Sequence, residues 1–269
     1  MAVITLTTDF GTRDTYVAEM KGVILSIAGD VHVVDITHEV APHDLLEGAL
    51  ALEAAAPRFP AATIHVAVVD PGVGTARRGL AVASRDQMFV GPDNGLFTPF
   101  LDGRRWRAWE LRAAEFRRAE VSHTFHGRDI FAPAAAHLAR GVEPARLGPP
   151  VTDPVRVKSP ALQVSEGRIG GAVVHVDRFG NLVTSIHADA IASLGSGVTV
   201  RVAGKSLPLV RTYGELGRND PGALVGSRNR LEIAVNAGSA AKTLRAGRGT
   251  PVVVSRISSP AGSRARRRT

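Results

Sequence analysis

The stretch IHVAVVDPGVGTARRGLAV (residues 64–82) decides how this chain is read. Residues 66–70, VAVVD, have the continuous apolar character of a buried strand and end in an acid. Pro71, Gly72 and Gly74 then break the strand into a turn, and Arg77 and Arg78 follow. Core packing is a poor explanation for a strand-end carboxylate facing a Gly-rich turn that carries guanidinium groups. The pairing raises the question of what the two charges hold between them.

Working outward, the first half alternates strand-like and helix-like segments. AVITLTT, VHVVDIT and ATIHVAVVD read as strands, and GLAVAS and QMFVG as two more. TYVAEMKGVILSIA, HDLLEGALALEAAAPRF and DIFAPAAAHLARG have apolar residues at helical spacing, the last with Gly141 at its C-cap. Such alternation predicts a layered α/β domain over residues 1–150, with a largely parallel sheet and flanking helices. Residues 151–166 are Pro-rich and aperiodic, and read as a connection. Residues 167–260 break into short β-like runs punctuated by Gly, Asn and Asp. They predict a smaller all-β domain, a barrel or sandwich. Residues 261–269 read as a basic, disordered tail.

Composition sets outer limits. The chain has 269 residues, 44% hydrophobic and 22% charged, ordinary values for a globular protein. No apolar run reaches the length of a membrane span. The N-terminus shows no basic leader or cleavage site, so the expected location is the cytoplasm. The absence of cysteine removes disulfides, thiolate metal sites and a cysteine nucleophile. The net charge of +8 includes four arginines in SRARRRT (263–269), which read as a solvated end. With only 5% aromatics, a folded nucleic-acid reader is a minor option.

Three strands deliver polar groups to what reads as one sheet edge: Asp9 after VITLTT, Asp35 and Thr37 in VHVVDIT, and Asp70. Ligands of open α/β sheets bind beyond strand carboxyl ends. Singly, each acid is more simply a turn or cap residue; together they favour a site. TTDFGTRD (7–14) lacks the spacing and the Lys of a phosphate loop, and an acid there suits a ribose diol better than a phosphate. HTFHGRDIFAP (123–133) is a second polar cluster. Its H-x-x-H is weak as a metal motif, and Asp129 is expected to cap a helix starting at Ile130, which leaves His126 for the strand-end site. Phe179-Gly180-Asn181 reads alone as a hairpin turn. Ser227 and Arg228 read either as turn chemistry or as a carboxylate site.

Taken together, TLTTDFGTRDTYVAEMKGVI, DITHEVAPHDLLEGALAL, HVAVVDPGVGTARRGLAV, FVGPDNGLFTPFL, HTFHGRDIFAPAAAHLARG, HVDRFGNLVTSI and SRNRLEIAVNAGSAA resemble the S-adenosylmethionine (SAM) hydroxide adenosyltransferases, relatives of the fluorinases and chlorinases. The resemblance spans nearly the whole chain except the connection and the tail. It implies an enzyme that converts SAM and water to adenosine and L-methionine without a metal or other cofactor. It also implies a homotrimer whose sites combine the α/β domain of one subunit with the β domain of its neighbour. By the same resemblance Asp70, Arg77 and His126 hold the attacking water. Asp9 grips the ribose hydroxyls and Asp14 contacts the methionine end. Asp177 meets the methionine ammonium, Phe179 and Asn181 the adenine. Ser227 and Arg228 take the carboxylate, and Val235 lies near adenine. The halogenating relatives carry an inserted loop where this chain has only RDQ (85–87), and Asp70 would repel a halide. A non-catalytic SAM or nucleoside sensor is the alternative from another class.

Overall fold

The computed structural model describes residues 1–103 and 105–257. The basic tail expected at 261–269 lies outside the described residues. The chain divides into two compact units, with the boundary after Lys158.

The first unit is built on a seven-stranded sheet. Its strands are β1 (Val3–Thr8), β2 (His32–Thr37), β3 (Ile64–Val68), β4 (Gly79–Ser84), β5 (Gln87–Pro92), β6 (Trp106–Glu110) and β7 (Pro150–Val151), in the spatial order β2-β1-β3-β5-β4-β6-β7. The expectation of a largely parallel sheet needs correction, because the sheet is mixed. β2, β1, β3 and β5 run parallel, whereas β5–β4, β4–β6 and β6–β7 are antiparallel. The physical reason is the connection RDQ. Arg85 and Asp86 both adopt positive φ (52° and 63°), which makes a tight two-residue hairpin and forces β5 back alongside β4.

Helices cover both faces. Along β3, Val66 and Val68 pack with α1 (Tyr16–Ile27) and α3 (Ala132–Ala139) in one core, which also holds Ile4, Leu6, Met20 and Phe131. Ala67, and Val69 just beyond the strand, pack in a second core with Leu52 of α2 (Leu45–Ala55), Phe89 and Phe100. A strand buried on both faces needs the unbroken apolar run that 66–69 supplies. Asp44 caps α2, accepting from the Glu47 N–H at 3.0 Å. Within the stretch 151–166, Val155 N–H donates to Asp93 at 2.7 Å and Val157 N–H to Thr98 Oγ1 at 2.8 Å, so residues up to 158 are laced onto the first unit.

The second unit contains β8 (Gln163–Ser165), β9 (Arg168–Val176), β10 (Leu182–His187), α4 (Ala188–Ala192), β11 (Val198–Val202), β12 (Lys205–Pro208), β13 (Pro221–Val225), β14 (Arg230–Val235), α5 (Ala240–Leu244) and β15 (Pro251–Arg256). Its strands follow one another in the order β12-β11-β15-β9-β10-β14-β13, all antiparallel, with β8 beside β9. The long β9 serves both halves, pairing with β15 over its first five residues and with β10 nearer its end. Val210 N–H donates to Ala223 O at 2.8 Å, which ties the end of β12 back to β13. The result is a nearly closed barrel around Ile169, Leu182, Val200, Ile233 and Val252.

Candidate active site

In the first unit, the carboxyl ends of β1 and β3 open onto a cavity of about 280 Å³. Asp9, Phe10, Tyr16, Asp70, Phe125 and His126 are among its lining residues. The strand-end acids of β1 and β3 therefore do share one site. Asp14 is exposed in the turn before α1 and does not line the cavity. Asp9 accepts a hydrogen bond from the His43 N–H at 2.9 Å, and His43 itself has a positive φ of 68°.

Asp70 and Arg77 answer each other directly. Arg77 Nε donates to Oδ1 at 2.9 Å and to Oδ2 at 3.0 Å, and a terminal nitrogen donates to Oδ2 as well. The same terminal nitrogen lies 2.7 Å from His126 Nδ1. Both charged side chains are almost withdrawn from water, 5% exposed for Asp70 and 11% for Arg77. The guanidinium also rests 5.2 Å from the centre of the Phe131 ring. Arginine stays protonated and only donates, so Nδ1 of His126 must be the acceptor and the imidazole proton sits on Nε2. Burial, helped by the charge of Arg77, pushes the His126 pKa below its usual value, with Asp70 and Asp129 pulling weakly the other way. His126 is thus held as a neutral imidazole, a donor at Nε2.

Local backbone makes this convergence feasible. Gly74 has φ +79°, and a Cβ there would stand 2.5 Å from His123 O. The turn carrying Arg77 can approach the loop carrying His126 only because residue 74 has no side chain. His126 starts a five-residue π-helical turn, Gly127–Phe131, ahead of α3. Asp129 lies inside this turn and is fully buried, so it is not the helix cap expected from its sequence position. It accepts instead from Ser122 N–H at 2.9 Å and from Arg128 Nε at 2.7 Å. Arg128 in turn pairs with Glu19 of α1 at 2.9 Å and sits 5.0 Å from the Phe125 ring centre. This network fixes the loop that presents Phe125 and His126.

The second unit places its candidate residues in loops, apart from Val235. Asp177 Oδ1 accepts from the N–H groups of Phe179 and Asn181, both at 2.9 Å, and Oδ2 from Asn181 Nδ2 at 3.0 Å. Asp177 therefore shapes the turn that presents Phe179, whose ring is 76% exposed. Ser227 and Arg228 are exposed in the turn between β13 and β14, and Val235 is buried at the end of β14. Sequence reasoning missed Tyr213, whose hydroxyl donates to Glu232 at 2.6 Å. That bond, partial burial and the nearby carboxylates of Glu232 and Asp177 raise its pKa to about 12. The signal was thin: a single Tyr at the end of KSLPLVRTY. Among the described residues, no group of three or more His, Asp or Glu is arranged to hold a metal. No described helix is long and apolar enough to cross a membrane.

A strand-end cavity lined by acids, with a partly buried Asp–Arg–His constellation at its wall, defines a small-molecule site of the α/β class. The comparisons narrow the class to a family. Residues 4–148 match the model of the SAM hydroxide adenosyltransferase N-terminal domain, and 171–253 that of its C-terminal domain. The chain belongs to the SAM hydroxide adenosyltransferase family. It is 44% identical to an (R)-S-adenosyl-L-methionine hydrolase of Thermus thermophilus, over 91% of this chain and 96% of that one. A fluorinase of Actinopolyspora mzabensis is 33% identical over 94% and 97%. Among solved structures, an uncharacterized conserved protein from Thermotoga maritima superposes with a TM-score of 0.88 at 34% identity, covering 95% of this chain and all of that one.

Proposed function

We propose that this protein is an enzyme that hydrolyses SAM to adenosine and L-methionine, with the R sulfonium epimer, named in its relatives, as the form to test first. The observation that carries the reading is the partly buried, hydrogen-bonded Asp70–Arg77–His126 constellation beside the cavity that Asp9 also lines. The 5′ carbon of SAM is already activated, since sulfur leaves as a neutral thioether. The weak partner is water. Water oxygen forms a bond to C5′, the C5′–S bond breaks, and its electron pair neutralises the sulfonium. The water proton passes to the Asp70 carboxylate and on to solvent. His126 Nε2–H donates to the water oxygen and aims it, and Arg77 fixes both partners. Asp9 binds the ribose diol.

On the same reading, the second unit supplies Asp177, Phe179, Asn181, Val235, Ser227 and Arg228 for the adenine and methionine ends, and Asp14 meets the methionine end. The 76% exposed ring of Phe179 supports a platform that a ligand covers. The working assembly is a homotrimer in the cytoplasm, and no metal takes part. Sedimentation should give three chains per particle, and a chelator should leave the rate unchanged.

The fluorinase relatives give the halogenase reading some weight. A carboxylate at the cavity wall opposes an anion there, and water has no such penalty. The test is purified protein with SAM in chloride or fluoride buffer, followed by chromatography. Adenosine and methionine are expected; a 5′-halo nucleoside would overturn the reading, and tight binding without products would make the protein a sensor. Because His126 is held neutral, the acid limb of kcat should lie below pH 6.5, the usual His value.

A further inference from the structure

Behind the Asp9 turn lies a polar chain that the proposed chemistry does not use. His38 is only 5% exposed. Its Nδ1 lies 2.9 Å from Thr8 Oγ1, and its Nε2 lies 3.1 Å from Asp35 Oδ1. Asp35 Oδ2 in turn receives Lys21 Nζ of α1 at 2.6 Å. On the other side, Thr8 Oγ1 accepts from the Phe10 N–H at 3.2 Å. The backbone of His38 joins in, since its carbonyl accepts from the Gly11 N–H at 2.8 Å. One assignment of protons fits these contacts: Phe10 N–H to Thr8 oxygen, Thr8 O–H to Nδ1, and the ring proton on Nε2, which lies close to the Asp35 carboxylate without the alignment of a hydrogen bond. The ring and the carbonyl of one residue thus grip both ends of the turn Asp9–Phe10–Gly11.

We propose that His38, oriented by Asp35 and Lys21, is a positioning residue that sets the Asp9 carboxylate for the ribose through Thr8 and the 9–11 turn. The inference rests on the reading of Asp9 as the ribose ligand. It separates His38 from the triad: His38 touches no reacting atom, so its loss should fall on substrate binding. A buried His holding a turn for stability alone would leave KM untouched. The Thr8–His38 pair is buried, and a buried polar pair is costly when half removed, which also predicts a graded response to single-atom changes.

The experiment measures kcat and KM for SAM on the full chain for wild type, His38→Leu, His38→Asn, Thr8→Val and Asp9→Asn. Melting curves establish that each variant is folded. His38→Leu and Thr8→Val should raise KM on the order of tenfold while kcat falls less than threefold. His38→Asn keeps an oxygen near the Nδ1 position and should recover most of the loss. Thr8→Val removes one hydroxyl at nearly constant volume, so it decides the matter even where His38→Leu does not fold. An unchanged KM in Thr8→Val, a loss confined to kcat, or no recovery in His38→Asn relative to a folded His38→Leu would overturn the inference. Failure of the underlying reading looks different: wild type inert toward SAM, or Asp9→Asn with an unchanged KM.

Discussion

The Asp70–Arg77 pair of the first unit is withdrawn from water, whereas several candidate site residues of the second unit face it. In the first unit, the Asp70 and Arg77 side chains are nearly buried, His126 is partly buried, and hydrogen bonds join the three. In the second, Phe179, Ser227 and Arg228 stand in exposed turns. On the proposed function, the difference matches two tasks. Aiming a water needs groups that cannot wander, because reorganisation during the reaction would be lost rate. Closing around an adenine or a carboxylate needs surfaces still open to the ligand. Variants in the first region should therefore damage rate or fold, and variants in the second should damage binding and leave stability alone.

The largest effect is expected at Asp70. Asp70→Asn keeps the shape but removes the charge that Arg77 answers and, on the proposed function, the site that takes the water proton. Its kcat should fall by about 10²–10⁴-fold with KM little changed, read by steady-state kinetics. A drop confined to KM would erase the contrast between the units. Next is an acid effect on the first unit's core. His65 is fully buried, accepts or donates through Nδ1 to Thr5 at 2.7 Å and stacks on Phe89. Burial lowers its pKa to about 4. Between pH 6.5 and about 4 the unfolded chain binds a proton there that the folded chain refuses, so stability falls as pH falls through that window. The loss should approach about 3 kcal/mol at the acid end, and His65→Leu should flatten the denaturation-versus-pH curve.

Gly74→Ala tests the close approach of the two loops. A side chain there meets His123 O in a left-handed backbone conformation. The cost should be about 1–3 kcal/mol in stability. The rate should fall on the order of tenfold as Arg77 and His126 part. A wild-type rate would show that their spacing does not matter. The smallest effect is expected at Phe179. Phe179→Ala should raise KM about tenfold through lost stacking, with the melting temperature unchanged because the ring is already in water. A fall in melting temperature would mean that this ring is part of a packed core after all.

How far the sequence could be read varies by kind of signal. The elements of the parallel half were legible because both-face burial leaves long apolar runs, as in 66–69. GLAVAS and QMFVG were also legible as strands, but they carry no mark of direction; the two positive-φ residues between them decide it. β6 went unread because Arg107 and Glu110 interrupt its apolar pattern. Asp70 and Arg77 could be paired by their closeness in sequence, but His126 lies 49 residues beyond Arg77, and the family resemblance named the three as one triad ahead of the geometry. Asp129 shows the opposite failure: an acid beside a helical pattern reads as a cap, and burial under Arg118 and Arg128 is invisible from composition. His38 was hidden in the same way, because a ring's value as an anchor depends on Thr8 thirty residues earlier.

The most direct test of the account is hydrolysis of (R)-SAM in ¹⁸O-labelled water, with both products analysed by mass spectrometry. The account predicts one labelled oxygen in adenosine, at the 5′ hydroxyl, and none in methionine. Unlabelled adenosine, or label in methionine, would contradict attack by water at the 5′ carbon.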